Sequence, residues 1–382
     1  MKTVCEVNKC AGCMACVDIC PKGAITVKDD LSAYNAVIDP EKCIGCDSCY
    51  RVCQQNHPAK AEMPQKWAQG WCADPVQRQK SSSGGFASAI SKAFITSGGS
   101  VCSCALKDGK FTFEFAETVD DVKKFAGSKY VKSDPSGSYK AVKDKLKNGK
   151  KVLFIGLPCQ VAALKNFVGK DLESALYTVD LICHGTPSPK LLEMFLKQYK
   201  IQLADLKEIK FRNNYNFQIY CNSKSVATDG VIDKYMIAFL YSMTYTDSCY
   251  SCNYAKTERV SDLTLGDSYG SELPKADWEK GVSLALCQTD KGIELLKTAD
   301  LVLKEVDLDK AISKNGQLRA PCAVPKDREV LFQTLKGNEK FNRSVFSLIT
   351  NQCLRQDIKA LLIRLGLHSG YSKLKKLFRH TS

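Results

Sequence analysis

No uninterrupted apolar run in this 382-residue chain approaches the ~18 residues needed to cross a bilayer. The opening stretch, MKTVCEVNKC, has neither an apolar h-region nor a cleavage site, so a secretory leader is not expected and a cytoplasmic location is. Also missing is an arginine-aromatic recognition motif. The positive charge is spread along the chain, so the formal net charge of +14 does not point to nucleic acid. The apolar content, 44%, is ordinary for a soluble globular protein, and the length allows two or three domains, each with its own core. What the chain has in excess is cysteine, 20 residues of it. Where thiols stay reduced, clustered cysteines mean metal or redox chemistry before disulfides.

Residues 10–20 read CAGCMACVDIC, followed by Pro21, and residues 43–53 read CIGCDSCYRVC, followed by Gln54. Both fit C-x2-C-x2-C-x3-C and repeat at an offset of 33 residues, the bacterial ferredoxin spacing. Three closely spaced thiolates wrap three corners of a cubane. The fourth, launched from the following short helix, reaches across to the other cluster. Cys10, Cys13, Cys16 and Cys53 are thereby assigned to one [4Fe-4S] cluster, and Cys43, Cys46, Cys49 and Cys20 to a second. AITV (24–27) and NAVID (35–39) read as the strands of a small hairpin. Zinc also takes four thiolates, so a structural zinc-binding protein is the alternative; two full repeats of this spacing weigh against it. The missing proline after Cys53 affects the local turn more than ligation, and Cys5, outside the pattern, reads as a bystander.

From about residue 67 strand and helix patterns alternate. SSSGGFASAISKAFITSG (81–98) reads as a serine-capped helix burying Phe86, Ile90, Ala93 and Phe94; its free N–H groups suit a phosphate, although an ordinary cap has the same sequence. VCSCAL (101–106) and FTFEFA (111–116) flank Asp108-Gly109 as a hairpin, with Cys102 and Cys104 on opposite faces. In KKVLFIGLPCQVAALKNFVG (150–169), VLFI is a buried strand, Pro158 fits the first position of a helix, and Cys159 falls in the first turn. LYTVDLICHG (176–185) is the next strand, with Cys183 at its end. So short a crossover makes the strands parallel, so Cys159 and Cys183 should emerge at the same sheet edge, where open α/β sheets bind ligands. Each taken alone is equally a small buried hydrophobe. The pair Cys249 and Cys252, in DSCYSCNYAK (247–256), makes a four-thiolate set the better reading. IKFRNNYNFQIYC (209–221) reads as two strands and KYMIAFLYSM (234–243) as a buried helix. SDLTLGDSYG (261–270), VSLALC (282–287) and LVLKEV (301–306) read as further strands, with a helix near 290–299. KDREVLFQTLKG and NQCLRQDIKALLIRLG read as helices, and the basic, amphipathic YSKLKKLFRH as a terminal helix with at most weak membrane contact.

The order of motifs is a double ferredoxin repeat, SSGG (82–85), GSKYVKSD (127–134), LPCQVAALK (157–165), DLICHG (180–185), CYSCNYAKTERVSDLTLGD (249–267) and GVSLAL (281–286). It resembles the coenzyme F-420 hydrogenase/dehydrogenase beta-subunit family, in the form with an N-terminal pair of ferredoxin clusters. The resemblance covers roughly residues 1–325. It implies FAD and a third cluster in the larger domain, the cluster held by Cys159, Cys183, Cys249 and Cys252, the flavin near Ser83, Gly84, Gly85, Gly127, Lys129, Tyr130 and Asp267. Each cluster carries about two negative charges and a flavin dinucleotide about two, so much of the basic excess offsets anionic cofactors. The expected fold class is α+β, with a ferredoxin-like dicluster domain over 1–60, a mixed α/β flavin- and cluster-binding domain over 67–325 and a helical extension over 326–382.

The expected function is an iron–sulfur flavoprotein oxidoreductase. It would move electrons between ferredoxin-type clusters and FAD, with hydride-type transfer to or from a deazaflavin coenzyme or another small molecule. A ferredoxin or other electron carrier is the expected protein partner. The alternative in the same chemistry is a non-catalytic electron-transfer subunit of a larger complex. No catalytic residue is assigned; His184 serves either as a proton donor to an acceptor or, preferably, as a turn cap. Cys72, Cys221, Cys287, Cys322 and Cys353 have no assigned role and most read as core residues, with Cys221 the reserve ligand for the third set.

Overall fold

The computed structural model describes residues 2–213, 215–337 and 340–367. The N-terminal module follows the cysteine repeat. Strands β1 (Ile25–Asp29) and β2 (Tyr34–Ile38) pair antiparallel with Ile25 opposite Ile38. Helices α1 (Ala15–Ile19) and α2 (Ser48–Val52) follow the two cysteine triplets. The repeat extends to the backbone: Gly12 and Gly45 have φ of 66° and 68°, and Met14 and Asp47, the residues preceding the two helices, 61° and 56°. Left-handed residues alternating with right-handed ones turn successive N–H groups inward, the concavity that receives an anion in many Fe–S loops.

The larger domain is built on an eight-stranded mixed sheet. Its strands are β3 (Lys66–Cys72), β4 (Ser100–Lys107), β5 (Lys110–Ala116), β6 (Val152–Ile155), β7 (Leu176–Leu181), β11 (Leu263–Asp267), β12 (Ser283–Cys287) and β13 (Leu301–Lys304), in the order β13-β3-β12-β11-β7-β6-β4-β5. A separate antiparallel sheet holds β8 (Ile209–Asn213), β9 (Asn216–Cys221) and β10 (Lys224–Ser225). The β4–β5 turn has Asp108 and Gly109 at φ 48° and 71°, as a two-residue hairpin loop requires. β6 and β7 run parallel, with Ile155 opposite Val179, and β11 joins β7 in parallel, so three C-terminal strand ends share one edge. KWAQGWC, the sequence of β3, lacks alternation and carries a glycine, which hid it as a strand. Its pairing on both sides overrides the weak propensity. Gly70 is required there, because a Cβ would stand 1.9 Å from the Val302 carbonyl oxygen.

The helices of the larger domain are α3 (Pro75–Lys80), α4 (Phe86–Thr96), α5 (Ser138–Lys147), α6 (Pro158–Val168), α7 (Pro189–Lys197), α8 (Lys234–Leu240), α9 (Lys275–Trp278), α10 (Asp290–Thr298), α11 (Leu308–Lys314), α12 (Arg328–Gly337), α13 (Phe341–Leu348) and α14 (Thr350–Arg364). The serine cap expected for α4 is corrected: its N-cap is Gly85, at φ 86°. The three serine hydroxyls are used elsewhere, Ser81 donating to Gln77, Ser83 to Val282, and Ser82 accepting from the Ser128 N–H. Phe86, Ile90 and Phe94 are buried as expected, whereas Ala93 is half-buried. The C-terminal helices pack on the larger domain, where Leu331, Phe332, Phe341 and Val345 share a core with Leu192, Phe195 and Phe239. The segment YSKLKKLFRH, with its expected membrane contact, lies outside the described residues. Among the described residues, no helix is long and apolar enough to cross a membrane.

Separate cores for the two modules are not what the structure shows. Ile25, Tyr34 and Val52 pack in one cluster with Tyr139, Phe154, Val161 and Phe167. Asp18 Oδ1 accepts from the Gly137 N–H at 2.6 Å, capping α5 in place of a residue of its own. Asn166 of α6 donates to the carbonyls of Val52 and His57, and Ser188 donates to Asp29 at 2.6 Å.

Candidate metal centres

Cys20, Cys43, Cys46 and Cys49 line one cavity, together with Pro21, Ile25, Ile38 and Tyr50. Cys46 is exposed and the other three half-buried. Cys10, Cys13, Cys16 and Cys53 line a second cavity with Val4, Cys5, Ala36 and Gln54, and none of these four is more than 8% exposed. Each set therefore combines three cysteines of one repeat with the last cysteine of the other. Among the described residues, no three His, Cys, Asp or Glu side chains converge closely enough for a single metal ion. Thiols spaced around a cavity suit a polynuclear cluster, whose corners are held apart by its own sulfides. Cys5, read from sequence as a bystander, lines the same cavity as Cys10 and Cys53.

The third set assembles at the shared sheet edge. Cys159 occupies the first turn of α6, after N-cap Leu157 and Pro158. Cys183 follows β7, and Cys249 and Cys252 lie in and just after a 3-10 turn over Asp247–Ser251. All four line one cavity with Lys132, His184, Tyr254 and Arg259. Burial pushes the Cys159 and Cys183 thiols up. At Cys249 burial acts the same way, but the Lys132 charge and hydrogen bonds from Thr246 and Thr186 outweigh it and the thiol is held low. The loop carrying the cysteine pair is anchored by Arg259, which is 1% exposed and pairs at 3.1 Å with the fully buried Asp180 of β7. Arg259 also donates to the carbonyls of Tyr254 and Leu181, and its backbone pairs with Glu62 of the interdomain segment. His184 lines the same cavity with its side chain exposed to solvent, and the desolvation it does feel shifts its basicity downward. Cys221 is corrected as reserve ligand: it lies in β9 of the small sheet and is not among the lining residues. The spare thiol beside this cavity is Cys322, 3.8 Å from the His184 carbonyl oxygen.

The residues expected around a flavin gather on the same edge. Ser83 donates to the carbonyl of Val282, just ahead of β12. Gly84 and Gly281 are required by close backbone approach, since a Cβ on Gly84 would come 2.3 Å from the Gly70 oxygen and one on Gly281 2.8 Å from the Ser83 carbonyl carbon. Gly85 opens α4, whose first turn has no side-chain cap. Gly127 has φ 83° with open space where a Cβ would stand. Lys129 is turned away, donating to the Phe125 and Ala126 carbonyls. The organiser is Arg212 of β8, which sequence reasoning missed. It makes a bidentate pair with Asp267 at 2.7 and 2.8 Å, donates to Tyr130 Oη at 3.1 Å and donates to the Ser82 carbonyl oxygen. Burial of the Asp267 carboxyl would raise it, yet the two Arg212 bonds hold it below its usual range. Alternation in IKFRN puts Arg212 with Lys210 on the face opposite Ile209 and Phe211, so no sequence signal marked it; the strand's register shifts between Lys210 and Arg212.

The dicluster module, its internal repeat and the thiol-lined cavities define an iron–sulfur electron-transfer protein. Residues 9–57 match the 4Fe-4S dicluster domain. Residues 149–310 match the family described as the C terminus of the beta subunit of coenzyme F420 hydrogenase/dehydrogenase. The larger domain thus contains a region of that beta-subunit family's type, downstream of a 4Fe-4S dicluster domain. No curated protein matches it. Among solved structures, a chain of the xenon-derivatised F420-reducing [NiFe] hydrogenase complex from Methanosarcina barkeri is 20% identical. The match covers 73% of this chain and 94% of that one, with a TM-score of 0.48.

Proposed function

We propose that the chain is an iron–sulfur flavoprotein oxidoreductase exchanging single electrons with a ferredoxin-like carrier and a hydride equivalent with a small-molecule acceptor. A deazaflavin is one candidate acceptor, because the family description names coenzyme F420. The observation that carries the reading is the third ring of thiols, Cys159, Cys183, Cys249 and Cys252, set at the strand edge that also bears Ser83, Gly84, Gly85 and Asp267. When bound, the clusters supply one-electron chemistry and FAD the pairing of two electrons for hydride transfer. In this reading, Cys10, Cys13, Cys16 and Cys53 hold the inner N-terminal cluster, and Cys43, Cys46, Cys49 and Cys20 the outer one. The exposed rim at Cys46 gives a carrier protein access, while the buried walls of the inner N-terminal cavity exclude water. His184, next to Cys183, lines the thiol cavity.

A second reading, an electron-transfer subunit without its own flavin, is favoured by one observation. Arg212 already satisfies both oxygens of Asp267, so a flavin must bind beside that pair or displace it. Anaerobic purification of the full chain with metal analysis and extraction of bound flavin separates the readings. Iron with one FAD per chain and acceptor-dependent flavin reoxidation supports the enzyme. Iron without flavin supports the electron-transfer reading, and a colourless zinc protein would overturn both.

A further inference from the structure

Aligned at the 33-residue offset, the residues lining the two N-terminal cavities differ at several positions, and two of these put a hydrogen-bonding side chain at the inner set where the outer set has an apolar one. Pro21 and Ile38 line the outer cavity; their counterparts at the inner one are Gln54 and Cys5. Two apolar residues at the exposed set are thus replaced by two hydrogen-bond donors at the buried set. Gln54 is fully buried, and neither its Oε1 nor its Nε2 has a partner. An orphaned amide in a protein interior is costly, so its presence points to a group that the cavity is shaped to receive. Cys5, 8% exposed, lines that cavity beside Cys10 and Cys53.

The third asymmetry is the burial of the nearby cation: beside the outer set Arg51, which donates to the Cys46 carbonyl, is exposed, whereas the cation beside the inner set is buried. Lys132 is 5% exposed; its Nζ donates to the Ala11 carbonyl oxygen at 3.0 Å and stands 5.2 Å from the Tyr34 ring centroid. Among the described residues no carboxylate pairs with it. Its field falls on Cys10 of the inner N-terminal set and on Cys159 and Cys249 of the third. A buried ammonium without a carboxylate needs another anion, and the thiolate rings on either side are the anions within reach.

We propose that Cys5, Gln54 and Lys132 make the inner N-terminal cluster more easily reduced than the outer one, so that an electron entering at the exposed set settles at the buried set. The inference rests on the cluster assignment given above. Reduction adds a negative charge, which donors to the cluster sulfurs and a nearby cation stabilise. Burial acts the other way, since a low dielectric disfavours the more charged state, and the three side chains offset it. The transfer balances as one electron: the outer cluster returns to its oxidised state as the inner one is reduced, and no bond is made or broken. The initial reductant is a low-potential one-electron carrier protein.

The test is an EPR-monitored redox titration of the full chain, purified anaerobically, with iron counted in every variant. Cys5→Val, Gln54→Met and Lys132→Met should each lower the higher of the two N-terminal couples while iron content stays unchanged. Lys132→Met should lower the third couple as well, the one abolished in a Cys183→Ala/Cys252→Ala variant. Combined, the three changes should alter the distribution of the electron between the two N-terminal clusters at least tenfold, which is about 59 mV for a one-electron couple. Cys49→Ser should move the other couple and so identify the outer cluster. Unmoved potentials with iron intact would overturn the inference alone, as would movement of the couple that Cys49→Ser perturbs. Loss of iron in Cys5→Val would make Cys5 a ligand, overturning both its tuning role and the ligand assignment on which the inference rests.

Discussion

At the scale of single residues, the informative side chains are those that interiors do not normally tolerate without a partner. Arg212 is 4% exposed on its side chain and saturated by Asp267, Tyr130 and Ser82. Replacing it with Leu leaves Asp267 buried and unpaired, and should cost about 3–5 kcal/mol by anaerobic chemical unfolding. Flavin content should fall in the same variant if the seven expected contacts depend on this organiser. Retention of both stability and flavin would remove Arg212 from the account. Asp233 offers a pH test away from any cluster. It caps α8 by accepting from the Met236 N–H and also accepts from the Ile219 N–H. Burial raises its carboxyl to about 6 against the backbone bonds that lower it. A folded value above the unfolded one means that the folded state holds the proton more tightly. Its stabilising contribution is complete below the unfolded value of about 3.9 and is lost as pH rises through about 6. Asp233→Asn keeps an acceptor at the cap without the charge, so the wild-type Tm should rise relative to the variant between pH 7.5 and 5. Asp233→Ala removes the cap and should cost about 1 kcal/mol. A Tm difference between wild type and Asn variant that does not change with pH would contradict the assignment.

At the scale of elements, the sheet edge that collects the third thiol set was legible because a short strand–helix–strand crossover admits only parallel strands. β6, α6 and β7 carried that information within residues 150–185. β3 was illegible for the opposite reason. Its strand character comes from two long-range partners, β12 and β13, and a local reading sees only Trp67, Gln69 and Gly70 in an irregular order. Gly70→Ala places a methyl group against the Val302 carbonyl at a φ of 152°, which should destabilise the fold by about 1–3 kcal/mol or more in thermal unfolding. A neutral result would mean that β13 is free to shift. The loop bearing Cys249 and Cys252 is held by the Arg259–Asp180 pair between β7 and the residues leading into β11. Arg259→Met should lower stability by about 3–5 kcal/mol and release iron at temperatures below global unfolding. Iron retained up to the unfolding transition would show that the loop does not depend on that anchor.

At the scale of the whole molecule, the sequence separates a dicluster module from a larger domain, and the structure joins them. The boundary near residue 60 is plain in the cysteine spacing, because local ligand loops follow local rules. The shared core was invisible, because Ile25, Tyr34 and Val52 look like the interior of a small domain until their partners on α5 and α6 are known. A chain starting near residue 67 would expose that face and lose the Asp18 cap of α5. It is predicted to be recovered mainly as aggregate, by size-exclusion chromatography, where the full chain elutes as a discrete species. The join also brings Lys132, on the larger domain, to Ala11 in the inner N-terminal loop and to the cavity of the third thiol set. The central claim is that three rings of four thiols hold three clusters in one body. It is tested most directly by counting iron in the anaerobically purified full chain and in its Cys183→Ala/Cys252→Ala variant. The account predicts about twelve irons per chain falling to about eight, with the two N-terminal EPR signals retained. Equal iron in both proteins would contradict it.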